Sequence, residues 1–125
     1  MTSWIQLHCR RLQRMKIWPH VTEKTIQMPL YEHPDSSEIA LLPLLRALAD
    51  PIRLEVVRHL ARVDYANCAA LLGDRPKSSM SHHFQVLRES GLVKTDVQGV
   101  QHLNALRRAE IDARFPGLLD AVLRD

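Results

Sequence analysis

Between residues 77 and 90 the chain sets out polar side chains at helical spacing whose types suit the edges of DNA bases. At about 100° per residue, Ser78, Ser81, His82 and Gln85 share one side of a helix, with Glu89 below them. Met80, Phe84 and Leu87 fall together on the opposite, buried side. Short hydroxyls, an imidazole and an amide can both donate to and accept from base edges, and they carry too little bulk to keep a helix out of the major groove. Lys77, with Ser79 close by, stands at the helix start and suits a phosphate, helped by the positive end of the helix; Arg88 flanks the face. The alternative is a solvated amphipathic helix with an ordinary polar side. His82 and His83 do not chelate one ion together, because neighbouring helical residues point about 100° apart. His83 turns toward the apolar side, where a hydrogen-bonded core histidine is expected, and His82 faces DNA or solvent.

Such a helix needs a scaffold, and the chain can build one. Its 125 residues fit one domain, with 46% apolar and 25% charged residues, the balance of a soluble globular protein and not of a disordered one. Aromatics are only 5%, so the core must come from Leu, Val, Ile and Ala. No apolar run reaches the roughly 18 residues of a membrane helix, so no membrane partner is expected. The basic N-terminus is followed by no apolar stretch of a signal peptide, and two cysteines, Cys9 and Cys68, cannot make a disulfide framework; a cytoplasmic location is expected. Residues 1–27 carry five basic side chains and one acidic, whereas the remainder carries 12 basic and 13 acidic. Net charge therefore says little about the folded part, and binding to nucleic acid must rest on a local surface.

Residues 1–34, with Pro19, Pro29 and Pro34 and no sustained period, are expected to form a flexible tail, and residues 35–125 the domain. Met28 could itself open the chain; a basic arm over residues 1–27 is the alternative. Asp35 and Glu38 resemble a capping box before a helix over 38–49, which is apolar almost all round: Ile39, Leu41, Leu42, Leu44, Leu45, Leu48. A helix of that kind needs two partners, its own core and another subunit. Pro43 should kink it or mark a late start. Asp50-Pro51 restarts a helix to about residue 62, with Ile52, Val56 and Leu60 on one stripe. A short helix over 65–72, a turn at Gly73-Asp74-Arg75-Pro76 and the helix 77–90 follow, stopped by Gly91. Alternation then takes over: Val93, Thr95 and Val97 face one way, Gln98-Gly99 turns, and 100–105 returns as a hairpin. Helices over 107–114 and 116–124 close the chain. This order predicts a mainly α fold with a small β-hairpin wing, a winged helix-turn-helix.

Two stretches resemble one family in particular. Ala47-Leu48-Ala49-Asp50-Pro51-Ile52-Arg53-Leu54 is similar to the opening signature of ArsR-type transcriptional repressors. The run from Pro76 through Lys77-Ser78-Ser79-Met80-Ser81-His82-His83-Phe84-Gln85-Val86-Leu87-Arg88-Glu89-Ser90 to Val93 is similar to their recognition helix and its entry into the wing. The resemblance spans about residues 38–106 and implies a DNA-binding regulator, not an enzyme, with no catalytic residue. It implies a homodimer built from the first and last helices, here through Leu41, Leu45, Leu118, Leu119 and Val122, bound to double-stranded operator DNA. Lys77, Ser78, Ser79, Ser81, His82, Gln85 and Arg88 would meet the DNA from the recognition helix, and Lys94 and Gln98 from the wing. The wing departs from the family, which often places arginines and paired aromatics there; this one offers Lys94, Asp96, Gln98, Gln101 and His102. So does the metal-binding equipment. Where one family site has a Cys-x-Cys, Cys68 has only Ala66 and Ala70 near it, and the last helix has no histidine. No metal or cofactor is therefore expected, and the effector, whether small molecule, redox or metal, is left open. Cys68 is either a small core residue or a thiol- or metal-responsive group acting with Cys9 of an arm. A protein-only interaction module and a cysteine hydrolase are the remaining alternatives; the second would need a base and an oxyanion site near Cys68 that no segment suggests.

Overall fold

The computed structural model describes residues 31–124; the basic segment 1–27 and Cys9 lie outside them. The first helix, α1, spans Leu41–Leu48, later than the expected start at residue 38. Asp35 does cap, but it caps a single 3-10 turn, Ser36–Glu38, accepting from the Ser36 amide at 2.9 Å and the Ser37 hydroxyl at 3.0 Å. Pro43 explains the delay. It sits in the third position of α1, where its missing N–H falls among donors that have no helical partner anyway. Leu44, Ala47 and Leu48 are buried, whereas Leu41, Leu42 and Leu45 stay 42%, 63% and 42% exposed.

Asp50 is extended, and its carboxylate accepts from the Ile52 and Arg53 amides at 2.9 and 3.1 Å, so α2 starts at Pro51 and runs Pro51–Leu60. The expected helix over 65–72 is shorter. Ala66–Asn67 forms a strand, β1, and the Asn67 side chain then accepts from the Ala70 amide at 2.8 Å to open α3, Cys68–Leu72. Helix α4 spans Lys77–Ser90; strands β2, Val93–Gln98, and β3, Gln101–Leu106, form the hairpin. Gln98 pairs with Gln101, so the turn residues are Gly99 and Val100, one position later than expected, with Gly99 at φ 61°. Helices α5, Arg108–Arg114, and α6, Leu118–Leu123, complete the unit. The sheet is antiparallel in the order β1-β3-β2, a third strand having joined the predicted hairpin.

Leu44, Val57, Leu87, Leu92, Val93, Ile111 and Leu119 are all fully buried in one core shared by helices and sheet. Leu119 had been expected at a subunit interface; it lies inside its own chain instead. At the centre of the sheet Asn104 is also fully buried, and its partners account for it. It accepts from the Thr95 hydroxyl at 2.7 Å and donates to the Ala66 carbonyl at 3.2 Å and to Cys68 Sγ at 3.4 Å. One amide thus ties all three strands and the start of α3 together, as a buried polar group must be tied to be tolerated.

Gly91 ends α4 in a Schellman motif: its amide donates to the Arg88 carbonyl and that of Leu92 to the Leu87 carbonyl, each at 3.1 Å. Its φ is 89°, and a Cβ there would stand 2.6 Å from Cγ1 of Ile39, itself 1% exposed. Gly91→Ala should therefore cost about 2–4 kcal/mol, from left-handed strain and overpacking together. Thermal unfolding should show a Tm lowered by about 10 °C or more; an unchanged Tm would contradict this packing.

His33 and Pro34, assigned to the tail, belong to the folded unit, which begins at His33. His33 Nε2 accepts from the Thr95 amide at 2.9 Å and so covers an outward donor of the edge strand β2, while Arg107 donates to the Pro34 carbonyl at 2.7 Å. Burial, then the positive charges of Arg107, Lys94 and Arg88 against the opposing Asp96, lower the His33 pKa from 6.5 to about 4. The folded state holds this proton less tightly than the unfolded one. Its contribution to stability is accordingly complete above pH 6.5 and is lost as pH falls toward 4. His33→Gln, which keeps an acceptor, should show a smaller fall in Tm across that window than the wild type. Parallel Tm curves for the two chains would contradict it.

Candidate nucleic-acid interface

Helix α3, the turn at residues 73–76 and α4 form a helix-turn-helix, and β2 and β3 form the wing behind it. Arg75 in the turn donates to Glu55 of α2 at 2.5 Å. Met80, Phe84 and Leu87 hold α4 on the core. Lys77, Ser78, Ser79, Ser81, His82 and Gln85 are all exposed, so α4 presents the expected polar face.

Those side chains are partly organised already. The hydroxyls of Ser79 and Ser81 donate back to the carbonyls of Pro76 and Lys77 at 2.9 and 3.1 Å, which engages their protons and leaves the oxygens as acceptors. Gln85 Nε2 donates to Glu89 at 2.9 Å. That bond holds one amide hydrogen; the carbonyl oxygen and the second N–H are the pair that a glutamine uses to read adenine. Glu89 thus orients Gln85, a role that its place one turn along the helix could have signalled.

The wing alternates as predicted: Val93 and Thr95 are buried, while Lys94, Asp96 and Gln98 are exposed. Arg88 is half-buried and within electrostatic reach of His33, so it flanks the exposed face of α4 and is not part of it. Val100 at the wing tip is 97% exposed.

His83 is held by a cluster that the helical pattern did not reveal. Arg53 of α2 donates through Nε to the Ala47 carbonyl at 2.8 Å and through Nη2 to the Arg46 carbonyl at 3.2 Å, while Nη1 stands 3.3 Å from His83 Nδ1. Asp50 Oδ1 is 3.9 Å from the same nitrogen. Burial opposes ionisation of Asp50, but the amides of Arg53 and Ile52, with Arg53 and His83 nearby, together hold its pKa below the ordinary value. The rings of His82 and His83 stand 6.1 Å apart between centroids and are tilted by 53°.

Cys68 is half-buried against the core and hydrogen-bonded by Asn104. Among the described residues no three His, Cys, Asp or Glu side chains are grouped to share an ion. No helix among them is long and apolar enough to cross a membrane. Of the residues expected at a subunit interface, Leu41 and Leu45 are exposed, Leu118 and Val122 are half-buried, and Leu119 is in the core. Arg108 pairs with Asp112 one turn along α5 and with Asp120 of α6, and the second pair joins the two helices.

A helix-turn-helix followed by an antiparallel wing, with a polar helix face directed outward, defines a DNA-binding transcriptional regulator. Residues 48–96 match the model of a helix-turn-helix domain family. Among solved structures, an ArsR family transcriptional regulator is 28% identical with a TM-score of 0.55, the match covering 64% of this chain and 89% of that one. HlyU from Vibrio cholerae is 26% identical with a TM-score of 0.55, covering 67% of this chain and 91% of its own. The transcriptional repressor BigR from Xylella fastidiosa is 26% identical with a TM-score of 0.50, covering 59% and 84%. No protein of curated function matches. In sequence and fold the chain is similar to ArsR-type winged helix-turn-helix regulators. Its fold is that of the DNA-binding regulators it resembles.

Proposed function

We propose that the chain is a repressor that binds an inverted-repeat operator as a homodimer, reading bases with α4 and meeting its partner subunit through α1 and α6. The observation that carries this reading is the contrast between two surfaces. Helix α4 exposes Ser78, Ser81, His82 and Gln85 with no apolar side chain among them, whereas α1 exposes Leu41, Leu42 and Leu45. The first suits a groove lined with donors and acceptors, and the second suits another apolar surface. Lys77 and Ser79 at the start of α4, with Lys94 and Gln98 on the wing, contact phosphates and sugars and fix the register. Repression is supported by the likeness to BigR, itself a transcriptional repressor. A mobility-shift assay on the DNA upstream of the protein's own gene tests the reading, with a scrambled duplex of equal length as control. The upstream fragment should bind on the order of a thousandfold more tightly at physiological salt. Equal binding to both would refute operator recognition.

A further inference from the structure

The guanidinium of Arg53 joins two helices whose relative placement matters to any dimer on DNA. Two of its nitrogens hold the last carbonyls of α1, Ala47 at 2.8 Å and Arg46 at 3.2 Å, at the negative end of that helix. The third reaches His83 on α4 at 3.3 Å. Arginine stays charged and can only donate, so His83 Nδ1 is the acceptor and Nε2 carries the ring proton. Asp50 supplies the opposite charge beside them, 3.9 Å from His83, while its carboxylate fixes the Arg53 backbone amide at 3.1 Å. Helix α1 carries the exposed leucines and α4 carries the exposed polar face. One planar, rigid fork therefore spans from the helix proposed to meet the partner subunit to the helix proposed to enter the groove.

We propose that Arg53 is a positioning residue: through His83 it sets the recognition helix against the subunit interface, and so sets the half-site spacing that the dimer accepts. This rests on the dimeric operator reading given above. A lysine at residue 53 keeps the charge but cannot reproduce the fork, because an ammonium is a point donor on a flexible stem. His83→Leu removes only the arm that reaches α4. His83→Gln offers an oxygen to the same guanidinium.

The probe is the duplex most enriched by the wild-type protein from a random pool, remade with one or two base pairs inserted or deleted between its half-sites. Each base pair moves one half-site by about 3.4 Å and about a tenth of a turn relative to the other, so a stiff dimer should lose about tenfold or more in affinity per step. Arg53→Lys and His83→Leu should bind the original duplex about tenfold more weakly. Their affinities for the spacer variants should then lie within about threefold of that weakened value, and His83→Gln should restore the wild-type preference. Folded, dimeric fractions are fixed first by circular dichroism and sedimentation, and His83→Leu carries the test if Arg53→Lys does not fold. An equal loss at every spacing would mean that these residues only maintain the amount of active protein, and the proposal would be overturned. If the wild type enriches no duplex, the operator reading itself fails, and the proposal with it.

Discussion

Leu45→Glu is expected to leave the fold intact, separate the dimer and abolish the operator complex. Leu45 is 42% exposed in the single chain, so a glutamate there keeps its carboxylate in water while the protein is monomeric. In the proposed dimer the same carboxylate would be enclosed by leucines, twice per assembly, at a cost of several kcal/mol for each unpaired charge. A total of about 4 kcal/mol already weakens association roughly a thousandfold. Sedimentation at micromolar concentration should find a monomer whose circular dichroism and Tm match those of the folded unit, and the operator shift should vanish. Leu119→Glu makes a useful contrast. Leu119 is fully buried within its own chain, so that change should unfold the protein instead of dividing it. A Leu45→Glu protein that remains dimeric would place the interface elsewhere.

The second large effect separates base reading from phosphate binding on the same helix. Gln85→Ala removes the side chain that Glu89 orients at 2.9 Å, and should cost about 1–3 kcal/mol per half-site on the operator with little change on unrelated DNA. His82→Ala should behave the same way if its exposed imidazole reaches a base. Lys77→Ala should instead weaken all sequences alike and make the plot of log affinity against log salt shallower by about two, one phosphate contact per protomer. Titrations of both variants at several salt concentrations check the distinction. A Gln85→Ala protein that loses affinity equally on operator and scrambled duplex would remove Gln85 from base recognition.

How far these side chains could be located from the sequence depended on the range of the forces involved. The exposed face of α4 and its buried Met80, Phe84 and Leu87 follow from helical periodicity alone, because one local repeat settles both sides. The Asp50-Pro51 start and the Gly91 stop were legible for the same reason: each is a capping contact within a few residues. Strand β1 was not. Ala66 and Asn67 have no strand pattern of their own, and they are extended because β3 pairs with them and Asn104 donates to Ala66. Leu119 was misplaced because an apolar stripe does not say which core it enters. His33 read as tail since its partner, Thr95, lies 62 residues away. Arg53 was visible only as part of a family signature, and its fork became apparent once α1 and α4 stood on either side of it.

Hydroxyl-radical footprinting of the wild-type protein on its best-enriched duplex tests most directly whether α4 reads DNA as one of a two-fold pair. The account predicts two protected patches related by a dyad, with half-site centres about 34–36 Å apart, two chains per duplex, and loss of both patches in Gln85→Ala. A single asymmetric patch made by one chain and unchanged in Gln85→Ala would contradict it.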